Sequence, residues 1–100
     1  MTGVIELVTL RPRPDLDDDD FLATVPATME FLRSRPGFVR RRLAHAADGQ
    51  WVDFVEWRTM GEALAAAAAF NDDPRNRTFN AAIAPGSAVM RHYTIVVASG

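Results

Sequence analysis

His92 and Asp53 are the side chains of this chain best suited to proton transfer. An unperturbed imidazole titrates near neutrality, and a carboxylate becomes a useful base when burial raises its pKa. Arg42, or Arg40, offers a guanidinium that steadies an oxyanion through charge-assisted hydrogen bonds. Trp51, Trp57 and Phe79 can sandwich an aromatic ring, and Met90 shares one side of a strand with His92. These residue types can supply proton transfer, anion binding and aromatic stacking. Each also has a plainer reading. A lone strand histidine is often structural, Trp57 and Phe79 suit a core, and Asp53 with Arg42 can form a cross-strand diagonal pair. Arg41 facing Glu56 is a second such pair, and His45 suits a hairpin end. His45, His92 and Asp53 share no local spacing, so no metal site is expected.

Composition narrows the chemistry. The 100 residues contain no cysteine, which removes thiol catalysis, disulfides and thiolate metal sites. All 11 basic residues are arginine, so Schiff-base chemistry through lysine is excluded. The net charge of −2 gives no basic surface for phosphates, and no nucleic-acid partner is expected. No apolar run approaches the ~18 residues of a membrane span, and no signal segment opens the chain. A cytoplasmic protein of one domain, residues 1–100, is expected. Its alanine and arginine usage suggests a GC-rich bacterial genome.

The elements that must position these residues centre on Gln50–Thr59 (QWVDFVEWRT), whose period of two predicts a strand. Asp48-Gly49 before it suits a two-residue hairpin turn. That turn places Arg42 opposite Val55, Arg41 opposite Glu56 and Arg40 opposite Trp57. Both faces of the hairpin then carry large apolar side chains. Both need cover, one from helices and the other from a second subunit. The face with Trp51, Asp53 and Trp57 is favoured for a cavity because it is richer in polar groups. Thr59-Met60-Gly61-Glu62 is a capping box, and the helix it opens runs to about Phe70. Five consecutive alanines, Ala65 to Ala69, make this helix secure but thin. Either it lies very close to the sheet or a space remains beneath it.

Val4–Leu10 reads as a strand covered on both faces, with Glu6 its lone charge. The aspartates of Asp15–Asp20 suit a solvated helix entry. Phe21, Val25, Met29 and Leu32 then form one apolar face as far as Ser34. Pro26 either kinks this helix or marks where its regular part begins. Pro36-Gly37 ends it, and Phe38–Ala46 is the second strand. Asp73-Pro74 opens a short helix over Arg75–Ala82, and Ser87–Val97 is the last strand. The order is βαββαβ: an α+β, ferredoxin-like fold with a four-stranded antiparallel sheet and helices on one face.

The sequence resembles the antibiotic biosynthesis monooxygenase-like family of dimeric α+β barrel proteins. Pro36-Gly37-Phe38, the run from Trp51 to Trp57 into Thr59-Met60-Gly61-Glu62-Ala63, the segment Asn71–Phe79 and Met90-Arg91-His92 carry the resemblance. It implies a homodimer packed sheet to sheet, with a ligand cavity between sheet and helices. Some members oxidise phenols or quinols with dioxygen and neither metal nor flavin, and others degrade haem. Glu6 replaces the first-strand asparagine of the haem-degrading members, and Ala65 lies near the position of their helical tryptophan. Haem breakdown is therefore disfavoured. The resemblance implies a cofactor-independent monooxygenase, or a related enzyme, acting on a small aromatic, phenolic or polyketide-type molecule. His92 would be its base and Asp53 the second choice. Trp57, Trp51, Arg42, Phe79 and Met90 would hold the substrate. A ligand-binding dimer without chemistry and a purely structural dimer module are the alternatives.

Overall fold

A computed structural model describes residues 3–100. Strand β1 (Val4–Leu10) is followed by two short helices, α1 (Asp18–Leu22) and α2 (Val25–Arg33). The hairpin β2 (Phe38–His45) and β3 (Trp51–Trp57) leads into α3 (Met60–Phe70). A 3-10 turn at Pro74–Asn76, the short helix α4 (Arg77–Ala81) and strand β4 (Val89–Thr94) complete the order. The sheet runs β2-β3-β1-β4 with every neighbour antiparallel, and the fold is α+β, ferredoxin-like.

Local chemistry accounts for the boundaries. The Asp17 carboxylate accepts the Asp20 N–H at 2.8 Å and starts α1. The expected long helix is divided, and Pro26 sits in the first turn of α2, where its missing N–H costs no intrahelical bond. Thr59 Oγ1 accepts the Glu62 N–H at 3.1 Å and opens α3. Gly37 has φ +84°, and a Cβ there would collide with the Glu62 side chain, so the β2 entry needs glycine. Strand β4 spans six residues, shorter than the expected Ser87–Val97.

The hairpin register departs from the expected one by a residue. The Ala46 N–H donates to the Gln50 carbonyl at 2.8 Å, and the Gly49 N–H donates to the Ala46 carbonyl at 3.0 Å. The loop is thus three residues, Ala47 to Gly49, with Gly49 at φ +89°. Arg41 now pairs with Val55, Arg42 with Phe54 and Arg40 with Glu56. An irregularity between Phe38 and Arg40 shifts the register again and sets Phe38, not the expected Arg40, opposite Trp57. One slipped residue moves a side chain to the other face, so Arg41, not Arg42, shares a face with Asp53. The expected Arg41–Glu56 pair is replaced by Arg40–Glu56 at 3.5 Å.

Helices cover the face of Val4, Glu6, Leu10, Trp51, Asp53, Val55 and Trp57, all buried. The core has two parts. Phe31, Leu32, Val55, Trp57, Ala63 and Ala66 pack at one end, and Leu10, Phe21, Trp51, Phe79 and Ala82 at the other. The opposite sheet face carries Ile5, Leu7, Val52 and Phe54 half-buried, with Tyr93 exposed. Among the described residues, no helix is long and apolar enough to cross a membrane.

Candidate functional site

A cavity of about 230 Å³ lies between the covered sheet face and the helices. That is slightly below the roughly 300–1,000 Å³ common for small-molecule sites. Its floor is formed by Glu6, Val8 and Leu10 of β1, Asp53, Val55 and Trp57 of β3, Arg41 of β2 and Met90 of β4. Phe31 and Leu32 of α2, Ala66, Ala67 and Phe70 of α3, and Phe79 of α4 form the walls. The thin alanine face of α3 therefore leaves space above the sheet. Backbone bonds hold α4 in place, with the Arg13 N–H to the Ala82 carbonyl and the Ala84 N–H to the Arg11 carbonyl, both 2.8 Å. Buried Asn76 ties the end of α3 to α4 by donating to the Phe70 carbonyl at 2.9 Å. Two hydrogen bonds from the Arg75 guanidinium to Asp73 hold that carboxyl down at about 2.

The floor holds two polar pairs. On β1 and β4, which place Glu6 and His92 opposite one another, His92 Nε2 lies 3.1 Å from Glu6 Oε1. Both side chains are largely buried, at 15% and 11% exposure. Burial is the main cause that pushes the Glu6 carboxyl up, and the nearby Asp53 charge adds to it. The hydrogen bond and charge of His92, and the charge of Arg41, oppose the rise without cancelling it. Beside this pair, Arg41 grips Asp53 with both ends of its fork. Nε donates to Oδ1 at 2.9 Å and Nη2 to Oδ2 at 2.7 Å. Arg41 Nη1 donates to Thr28 Oγ1 of α2 at 2.7 Å, and its guanidinium lies 5.5 Å from the Phe79 ring centre. This side chain is 2% exposed.

Trp57, Phe79, Met90 and Asp53 of the expected site residues line the cavity. His92 stands behind Glu6, which is the member of their pair on the cavity wall. Trp51 lies elsewhere, at the hairpin end, between His45 at 4.7 Å and Phe21 at 5.0 Å between ring centres. Arg42 and Arg40 are on the far sheet face, beside Phe54 and Glu56, because of the three-residue loop. Both Asp53 oxygens are taken by Arg41, so Asp53 serves as that residue's counter-ion. The Trp57 indole N–H is buried without a partner among the described residues. Sequence reasoning missed Glu6, Arg41, Thr28, Phe31, Phe70, Asn71 and Asn80. Glu6 left a signal, a single charge in a strand expected to be covered on both sides. Among the described residues, no three histidine, aspartate or glutamate side chains converge in the manner of a metal site.

No protein-family model matches the chain, and no curated protein matches it in sequence. Solved structures do match in fold. One is a variant of SnoaB, described as a cofactor-independent oxygenase from Streptomyces nogalater: 18% identity, 98% of this chain and 95% of that one covered, TM-score 0.68. Another is described as a candidate antibiotic biosynthesis monooxygenase from Bordetella bronchiseptica: 13% identity, 97% and 100% covered, TM-score 0.80. A third, Rv0793 from Mycobacterium tuberculosis, has 19% identity, 98% and 99% coverage and a TM-score of 0.69. The chain thus has the fold of the antibiotic biosynthesis monooxygenase-like proteins, the group its sequence resembles.

Proposed function

We propose that this protein is a cofactor-independent monooxygenase acting on a small phenolic, aromatic or polyketide-type molecule. The observation that carries this reading is the buried Glu6–His92 pair, with Glu6 on the wall of a mostly apolar cavity. A carboxylate whose pKa is raised is a stronger base than a free one, and a phenol placed against it can lose its proton. Glu6 takes that proton, and His92 holds the pair in position and shares its charge. Phe31, Phe70, Phe79 and Trp57 exclude water and contact the ring.

The electron-rich phenolate then reacts with dioxygen. A bond forms from the ring carbon para to the phenolate oxygen to one oxygen atom, and the proton held by the pair completes a hydroperoxide. Cleavage of the O–O bond, with loss of that carbon's hydrogen, leaves a ring carbonyl and one water. One atom of dioxygen enters the quinone and the other leaves as water. The fold it shares with an oxygenase described as cofactor-independent supports the same reading.

The proposal includes a homodimer in a cytoplasmic, bacterial setting. A second copy packed on Ile5, Leu7, Val52 and Phe54 would cover a half-buried apolar face that carries no helix among the described residues. A mostly apolar cavity with ionisable groups on its floor argues against a purely structural module. The test is aerobic incubation with dihydroxyaromatic molecules, following dioxygen uptake and quinone formation. Wild type is expected to turn over, with His92→Ala at least about tenfold slower. Equal product from the two removes His92 from the mechanism.

A further inference from the structure

We infer that the cavity selects uncharged aromatic ligands and rejects carboxylates, and that Asp53 is the residue that sets this preference. The inference rests on the cavity being the ligand site. Among its lining residues the charged side chains are Glu6, Asp53 and Arg41. Arg41 is thus the one cation there among the described residues, and it is already committed. Its fork closes on both Asp53 oxygens at 2.9 and 2.7 Å, and a third N–H is held by Thr28. The remaining charge on the floor is that of Glu6, which His92 at most neutralises by sharing a proton.

With Arg41 and Asp53 cancelling one another and Glu6 facing His92, the floor offers no uncompensated cation beside an ionised Glu6. A ligand carboxylate brought into it would lose its water and find no free counter-charge, which disfavours the bound state strongly. A neutral phenol meets no such penalty, since its hydroxyl proton can be donated to Glu6. The proton is given up only after binding, so the charge that develops is one the site exchanges internally rather than one imported from solution. Removing the negative charge of Asp53 while keeping its shape frees the Arg41 cation. A carboxylate can then take the place of the missing counter-ion, and Arg41 remains bound to Thr28.

The experiment compares α-naphthol with α-naphthoate, which share a ring system and differ in charge near neutral pH. Both are titrated by calorimetry into wild type and Asp53→Asn, without dioxygen, so that turnover plays no part. Wild type is expected to bind the naphthol at least about tenfold more tightly than the naphthoate. Asp53→Asn is expected to narrow or reverse that ratio by about tenfold or more, through a gain for the naphthoate. The wild-type comparison stands alone if the variant does not fold. Equal affinities in wild type overturn the inference, as does a folded variant with an unchanged ratio. Binding of neither molecule overturns both the inference and the ligand-site reading. Selective binding of the naphthol by a protein that consumes no dioxygen upholds the inference while the oxygenase proposal fails.

Discussion

Glu6 is a buried carboxyl whose pKa lies above 4.5 in the folded chain, raised mainly by desolvation. A carboxyl raised in this way favours folding fully at low pH, below its unfolded value. That contribution is lost as pH rises through the folded value. Glu6→Gln is neutral at every pH and lacks the loss. Urea midpoints measured across pH are therefore expected to fall for wild type relative to Glu6→Gln from about pH 4.5 upward. A constant difference between the two would contradict the desolvated carboxyl. Arg41 makes a second residue-scale prediction. Arg41→Ala leaves Asp53 buried without its counter-ion and is expected to cost about 3–5 kcal/mol in urea unfolding. A loss below about 1 kcal/mol, as at exposed ion pairs, would contradict the burial of this pair.

At the scale of elements, much of the fold is legible in the sequence and the register is not. Val4–Leu10 is the same strand in both readings, and the Thr59 capping box opens α3 as its spacing implies. The Asp48-Gly49 dipeptide fits both a two-residue turn and a three-residue loop ending in a left-handed glycine. Local chemistry does not separate them, and the two-residue turn would put Arg42 where the three-residue loop puts Arg41. Glu6 was visible as an odd charge, but its partner is 86 positions away and emerges only from the β1–β4 pairing. The thin helix left two outcomes open, a close approach or a hollow, and the aromatic side chains Phe31, Phe70 and Phe79 around the space decide for the hollow. Ala67 lines that hollow from α3. Ala67→Phe is expected to remove naphthol binding while circular dichroism stays unchanged and stability shifts by no more than about 1–3 kcal/mol. Retained binding would place the ligand elsewhere.

At the scale of the molecule, the sheet has one face under helices and one face that carries no helix among the described residues. Ile5, Leu7, Val52 and Phe54 on that half-buried face alternate with the buried residues of the other, as the period of a strand requires. A second copy is the cover proposed for them. Light scattering at micromolar concentration is expected to give twice the chain mass for wild type. Leu7→Arg with Phe54→Glu is expected to give the chain mass with the helices intact. A wild-type monomer would contradict the dimer but leave the cavity chemistry standing, because the cavity lies on the other side of the sheet.

The central claim is that a buried carboxyl, held by a histidine, delivers a phenolate to dioxygen inside this cavity. Dioxygen uptake with 1,5-dihydroxynaphthalene, whose carbon para to a hydroxyl carries hydrogen, tests it for wild type and Glu6→Gln in the presence of a chelator. Wild type is expected to consume one dioxygen per quinone formed without releasing hydrogen peroxide, and Glu6→Gln to be slower by about a hundredfold or more. Equal rates in two folded proteins that both bind the substrate would contradict it.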